Sequence, residues 1–111
     1  MTDATLLAAI LDSLNSPILF TDTEHVTRYM NQAAMAHYEG GAGLIGQSLL
    51  DCHNERSQQI MQEVLVALQA GEEERLISED EKEHIYMRAV RDAEGRLLGY
   101  YERYQSRIPP A

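Results

Sequence analysis

The sequence predicts an α+β fold: a five-stranded antiparallel sheet with helices packed on one face and an N-terminal helix. Three observations carry it. Ile85 to Glu102 forms two apolar and aromatic arms around Asp92-Ala93-Glu94-Gly95, a long hairpin in which Gly95 supplies a positive φ and Asp92 bonds the turn backbone. Glu55 to Ala70 sets Ile60, Met61, Val64, Leu65 and Leu68 on one helical stripe. The element order is helix, two strands, short helices, long helix, three strands.

Taken in order, Thr5 to Leu14 is apolar at Leu6, Leu7, Ile10, Leu11 and Leu14, with Thr2 or Asp3 available as a cap. Asn15-Ser16-Pro17 stops this helix, because proline cannot continue it. Ile18 to Thr21 and Val26 to Met30 are short strands joined by Asp22-Thr23-Glu24-His25. Asn31 caps a short helix, Gln32 to Tyr38, with Ala33, Ala34 and Met35 inward. Glu39 to Gly43 is a flexible break, and Leu44 to Leu50 returns to the core. Gly71 ends the long helix. Glu72 to Glu83 carries seven acidic residues and reads as a solvated strand and turn around Leu76 and Ile77. Arg107-Ile108-Pro109-Pro110 reads as an exit linker or tail. The expected divisions are an N-terminal helix over 1–16, a core over 17–106 and the linker over 107–111.

At 111 residues the chain makes one domain with a modest core. A net charge of -9 argues against binding nucleic acid or an anionic membrane. The single cysteine, Cys52, excludes an internal disulfide and a Cys-based zinc finger. No stretch approaches the roughly 20 apolar residues of a membrane span. No signal peptide or internal repeat is visible, so a cytoplasmic location is expected.

Ile18-Leu19-Phe20-Thr21-Asp22, Asn31-Gln32-Ala33-Ala34, Leu44-Ile45-Gly46-Gln47, Gly71, and the Asp92-to-Gly95 turn with Gly99 beyond it follow one another in a telling order. In that order and spacing the chain resembles a PAS domain from about Leu7 to Gln105. The resemblance implies a PAS fold and a sensory or interaction module, with a pocket between the sheet and the helical side. It also implies a homodimer through the N-terminal helix or the outer sheet face, and a signalling partner or output domain.

Within that resemblance Cys52-His53 edges the pocket. A neutral imidazole is a good iron ligand, and some PAS gas sensors hold heme b through a histidine. Strand alternation puts Ile85, Met87 and Ala89 on one face and His84, Tyr86 and Arg88 on the other. Met87 could thus oppose His53 across a heme, with Cys52, Ile85 and Tyr101 as further cofactor contacts. CO, NO or O2 would then displace Met87 and shift the hairpin, or the site would report redox state, with Cys52 able to ligate oxidised iron. The ligand of the better-known oxygen sensors is missing, since Gln58, Gln59 and Ile60 stand there. Asp51-Cys52-His53-Asn54 also departs from the Asn-Cys-Arg motif of flavin photosensors.

Plainer readings stand beside these. His53 can hydrogen-bond backbone at the helix start, Met87 can fill the core, and Cys52 can act as a small buried hydrophobe. A cofactor-free dimerisation module is the alternative function. The neighbours Cys52 and His53 raise a weaker one, a Cys-dependent enzyme, but adjacent residues point different ways and no third group orients them. The chain is therefore read as non-enzymatic. His25 is expected to be exposed in its turn, His37 to suit a helix C-terminus, and His84 to be structural. Tyr86, Tyr100, Tyr101 and Tyr104 form an aromatic cluster, either cross-strand packing or a pocket wall or dimer face. Arg88, Arg91, Arg96 and Arg103 are expected to pair with acidic residues, with a grip on heme propionates as the alternative.

Overall fold

The computed structural model describes residues 2–107. Residues 108–111, most of the expected exit linker, lie outside them. Helix α1 (Asp3–Asp12) begins where the Thr2 hydroxyl accepts the Thr5 amide at 3.2 Å. None of its residues is buried. Strands β1 (Leu19–Asp22) and β2 (Thr27–Met30) follow. The Asp22 carboxylate holds their turn by accepting the amides of Glu24 at 2.9 Å and Val26 at 3.1 Å.

His25 is not exposed, contrary to expectation. It lies in the left-handed region at φ 64° and is only 7% exposed. Its Nδ1 is 2.7 Å from the Tyr100 hydroxyl, because β1 lies beside the final strand and its turn folds back over Tyr100.

Helix α2 (Gln32–His37) is capped by Asn31, whose Oδ1 accepts the Ala34 amide at 2.9 Å. The glycine-rich break is more regular than expected, closing into a 3-10 turn over Gly41–Leu44. A second such turn, Leu49–Cys52, precedes α3 (Glu55–Gln69), which Asn54 caps through the Ser57 amide at 2.9 Å. Gly71 follows α3 at φ 116°, which suits glycine. The Arg91 guanidinium donates to the carbonyls of Leu68 at 2.6 Å and Glu72 at 3.0 Å, complementing the helix C-terminus.

Strands β3 (Glu74–Glu79), β4 (Glu83–Arg91) and β5 (Leu97–Ser106) complete an antiparallel sheet of order β2-β1-β5-β4-β3. The β4–β5 turn forms as expected: Asp92 Oδ1 accepts the amides of Glu94 at 3.0 Å and Arg96 at 2.9 Å, and Gly95 takes φ 84°. Ile85, Met87 and Ala89 sit opposite Tyr104, Glu102 and Tyr100. Those six share the inner face, and Tyr101 and Arg103 point outward. Gly99 must be glycine for space: a Cβ there would lie 2.0 Å from the Thr21 carbonyl oxygen.

The core has two parts. Met61, Val64, Leu65 and Leu68 of α3 pack on Met87 and Tyr100, while Leu19, Met30 and Ala34 form a second cluster. The arginines pair much as expected. Arg103 grips Glu74 with two bonds of 2.9 and 3.0 Å, Arg88 reaches Glu74 at 3.6 Å, and Arg91 reaches Glu73 at 3.4 Å. Arg96 pairs instead with Asp92 in the turn, at 3.2 Å. Such surface pairs contribute about 0–1 kcal/mol each. Among the described residues no helix is long and apolar enough to cross a membrane.

Candidate functional site

Two half-open cavities lie between the helical side and the inner sheet face. One, about 350 Å³, is bounded by Leu19, Tyr38, Glu39, Leu44, Leu49 and Cys52. The other, about 220 Å³, lies under the start of α3, bounded by His53, Ser57, Ile60, Met61, the Ile77-Ser78 pair and Glu102. Hydrogen bonds link Tyr38 of the first cavity to Glu102 of the second. Glu102 Oε2 accepts the Tyr104 hydroxyl at 2.9 Å and the Tyr38 hydroxyl at 3.2 Å, and the two hydroxyl oxygens are 2.5 Å apart. Two hydroxyl hydrogens serve three short contacts, so the trio shares them. Burial first, and then the charge of Glu102, push both phenols well above the usual tyrosine range.

The second cavity owes its shape to the turn before α3. Gln58 donates to the carbonyls of Leu50 at 2.8 Å and His53 at 2.9 Å, fixing that turn. His53 Nδ1 lies 2.8 Å from the Leu49 carbonyl. A carbonyl can only accept, so Nδ1 carries the proton and Nε2 is left as the lone-pair nitrogen of the neutral ring.

His53 therefore reaches a cavity and also makes the backbone bond of the plainer reading. Met87 is 1% exposed inside the α3 cluster, as core filling requires. Ile85 lies on the inner face with Met87, as alternation implied. Tyr101 does not join them. It faces outward and borders an apolar groove of about 550 Å³ with Leu11, Leu14, Phe20, Tyr29 and Leu98. The expected cluster of four tyrosines is thus split by the pleat: Tyr100 and Tyr104 go inward, Tyr86 and Tyr101 outward. Arg103 stacks over the Tyr86 ring, 4.4 Å from its centre.

Cys52 is exposed rather than buried, and it lines the cavity that His53 does not. The two neighbours do not converge as nucleophile and base. Nor do the residues fit heme b. Pockets for drug-sized ligands measure roughly 300–1,000 Å³, whereas the cavity beside His53 is about 220 Å³ and Met87 is buried in the cluster with Met61.

Residue reasoning missed Glu102, Tyr38 and Ser57. The signal for Glu102 was present. It alternates with Tyr100 and Tyr104 along β5 and sits opposite Met87 across the hairpin.

A family model described as the PAS domain matches residues 7–106. Among solved structures, a C-terminal domain from Streptococcus mutans superposes with a TM-score of 0.75 at 21% identity, covering 95% of this chain and 85% of that one. The PAS domain of BvgS from Bordetella pertussis gives 0.64 at 18% identity, covering 96% and 87%. The Aer2 receptor from Vibrio cholerae, described as a dual PAS-heme oxygen sensor, gives 0.53 at 14%, covering 83% and 94%. At such identities these likenesses speak for the fold alone. No curated protein matches the chain.

Proposed function

The chain belongs to the PAS family of sensory and signalling modules, and from that premise we propose that it senses a small polar ligand in the cavity under α3. It relays occupancy to a second copy of itself or to an output domain. The observation that carries the reading is Glu102. Its carboxylate lines the cavity with Oε2 held by two tyrosines, while Oε1 has no partner among the described residues. A half-buried polar group set among apolar walls is the usual design of a small-molecule site. The ligand is smaller than heme b, which the cavity and the buried Met87 disfavour.

The relay runs through β5. Glu102 touches the cavity, and its chain neighbour Tyr101 borders the outer groove against Leu11 and Leu14. Beside that groove α1 presents Leu6, Leu7 and Ile10, and the turn after it presents Leu14, each at least 43% exposed. We assign this surface to a second copy, whose own α1 offers the same apolar face.

An amide NMR titration with phenol, a small neutral probe, tests the ligand reading. We expect shifts grouped at His53 to Met61 and at Ile77-Ser78. Absence of any shift there, with phenol or with the charged and neutral probes described below, would sink it.

A further inference from the structure

Resting on the reading that this cavity takes a ligand, we propose that the ligand is a small organic cation, an ammonium or amidinium group on an apolar body, held between Glu102 and His53. The lining offers acceptors. Glu102 Oε2 is engaged by the Tyr38 and Tyr104 hydroxyls, which leaves Oε1 for a visitor. The Nδ1 proton of His53 is committed to the Leu49 carbonyl, which leaves the Nε2 lone pair. Ser57 and Ser78 can orient either way, and Ile60, Met61 and Ile77 supply the apolar wall.

No Lys or Arg is among the residues lining the cavity. On the outer face of the sheet Arg103 and Arg88 are both engaged with Glu74, and on the inner face Arg75, in the same cross-strand row as Met87 and Glu102, is engaged with Glu72. Among the described residues Glu102 is thus a half-buried carboxylate without a counter-ion, an arrangement whose desolvation cost a bound cation offsets. An anion would meet Glu102 and the field of a chain of net charge -9. A bare metal ion would lack ligands, because no group of three or more His, Cys, Asp or Glu gathers among the described residues. An organic cation satisfies both acceptors at once, and its carbon body covers the apolar wall. Charge-assisted hydrogen bonds to the carboxylate give selectivity over a neutral isostere.

The test uses three planar probes of one shape and different charge: benzamidine, benzamide and benzoate. Amide NMR titrations of the full chain give their affinities. Benzamidine is expected to shift His53, Ser57 and Glu102 and to bind at least roughly tenfold more tightly than benzamide, with benzoate silent. In Glu102→Gln that preference should vanish. Should that variant fold poorly, the natural chain titrated at low and at high salt decides: a preference for benzamidine carried by charge shrinks as salt is added while benzamide binding does not change, and a preference indifferent to salt overturns the cation reading. If benzamide or benzoate matches benzamidine, the cation is the wrong class and the ligand cavity stands. If phenol binds and benzamidine does not, the result is the same. If none of the four probes binds, both the cation and the cavity reading fall.

Discussion

His25 ties the β1–β2 turn to the final strand through one hydrogen bond, from a ring that water scarcely reaches. Burial pulls its pKa below the ordinary histidine value, and the nearby Asp22 charge opposes this without cancelling it. The sign follows from linkage. Below about pH 6.5 the unfolded chain binds a proton that the folded ring resists, so stability falls as pH drops from there towards the depressed native pKa. One such group gives a slope of up to about 1.4 kcal/mol per pH unit. His25→Asn keeps a residue that tolerates the left-handed backbone and removes the titration. Melting curves between pH 7 and pH 5.5 should therefore fall more steeply for the natural protein than for the variant; parallel curves would remove His25 from this role. The range is chosen above the region where the carboxylates titrate. Glu74, held low first by the Arg103 guanidinium, and Asp22, raised by burial but lowered further by Arg28 and two amides, protonate only in stronger acid.

Between elements, the strongest junction is Asn31, fully buried at 0% exposure. Its Oδ1 accepts the Ala34 and Ile18 amides, both at 2.9 Å, and its Nδ2 donates to the carbonyls of Leu11 at 2.9 Å and Ser16 at 3.1 Å. One amide thus caps α2, starts β1 and anchors the end of α1. Asn31→Asp keeps the acceptor but turns a carboxylate towards two carbonyls, and should cost about 3 kcal/mol or more in urea unfolding. Amide exchange should show α1 loosening first. A loss under about 1 kcal/mol would mean that α1 is held by something else. The sequence announces half of this residue. An asparagine before Gln32-Ala33-Ala34 is legible as a cap because capping is local. Its bonds to Leu11 and Ser16 depend on where α1 folds back, which periodicity cannot state. The same boundary divides the site. Both arms of the β4–β5 hairpin, the α3 stripe and the inward turn of Met87 follow from spacing and turn chemistry. Glu102 escaped because a lone acid among tyrosines looks solvated, and Tyr101 was misjudged because the tyrosines were read as a group. His25 was misplaced because nothing nearby in the chain reveals that β1 pairs with β5.

At the scale of the whole molecule, five exposed large hydrophobics among the described residues, Leu6, Leu7, Ile10, Leu14 and Leu98, lie on or beside α1 and the outer groove. The outer groove and the α1 face together approach the kind of patch that monomers rarely leave bare. A standard interface buries about 800 Å² per partner, and each fully buried Leu or Ile side chain adds about 1.5–3 kcal/mol. If two copies pair through α1 as proposed, Leu7→Asp combined with Ile10→Asp, both on exposed positions of that helix, should give a monomer with little change in melting temperature at low concentration. Size-exclusion chromatography with light scattering reads this directly, and a variant that remains dimeric would relocate the contact. Because each copy carries a net charge of -9, added salt should tighten the association rather than weaken it. The far edge of the sheet has the opposite character. Strand β3 ends the order β2-β1-β5-β4-β3, with the acidic run from Glu72 to Glu83 wrapped around it. An open edge offers backbone groups to any other strand it meets, and dense like charge is how natural sheets refuse that offer. The run between α3 and β4 is therefore a colloidal device. It makes one copy unwelcome to another along the edge, so that the proposed pairing through the apolar side would close on itself and not grow into a fibre.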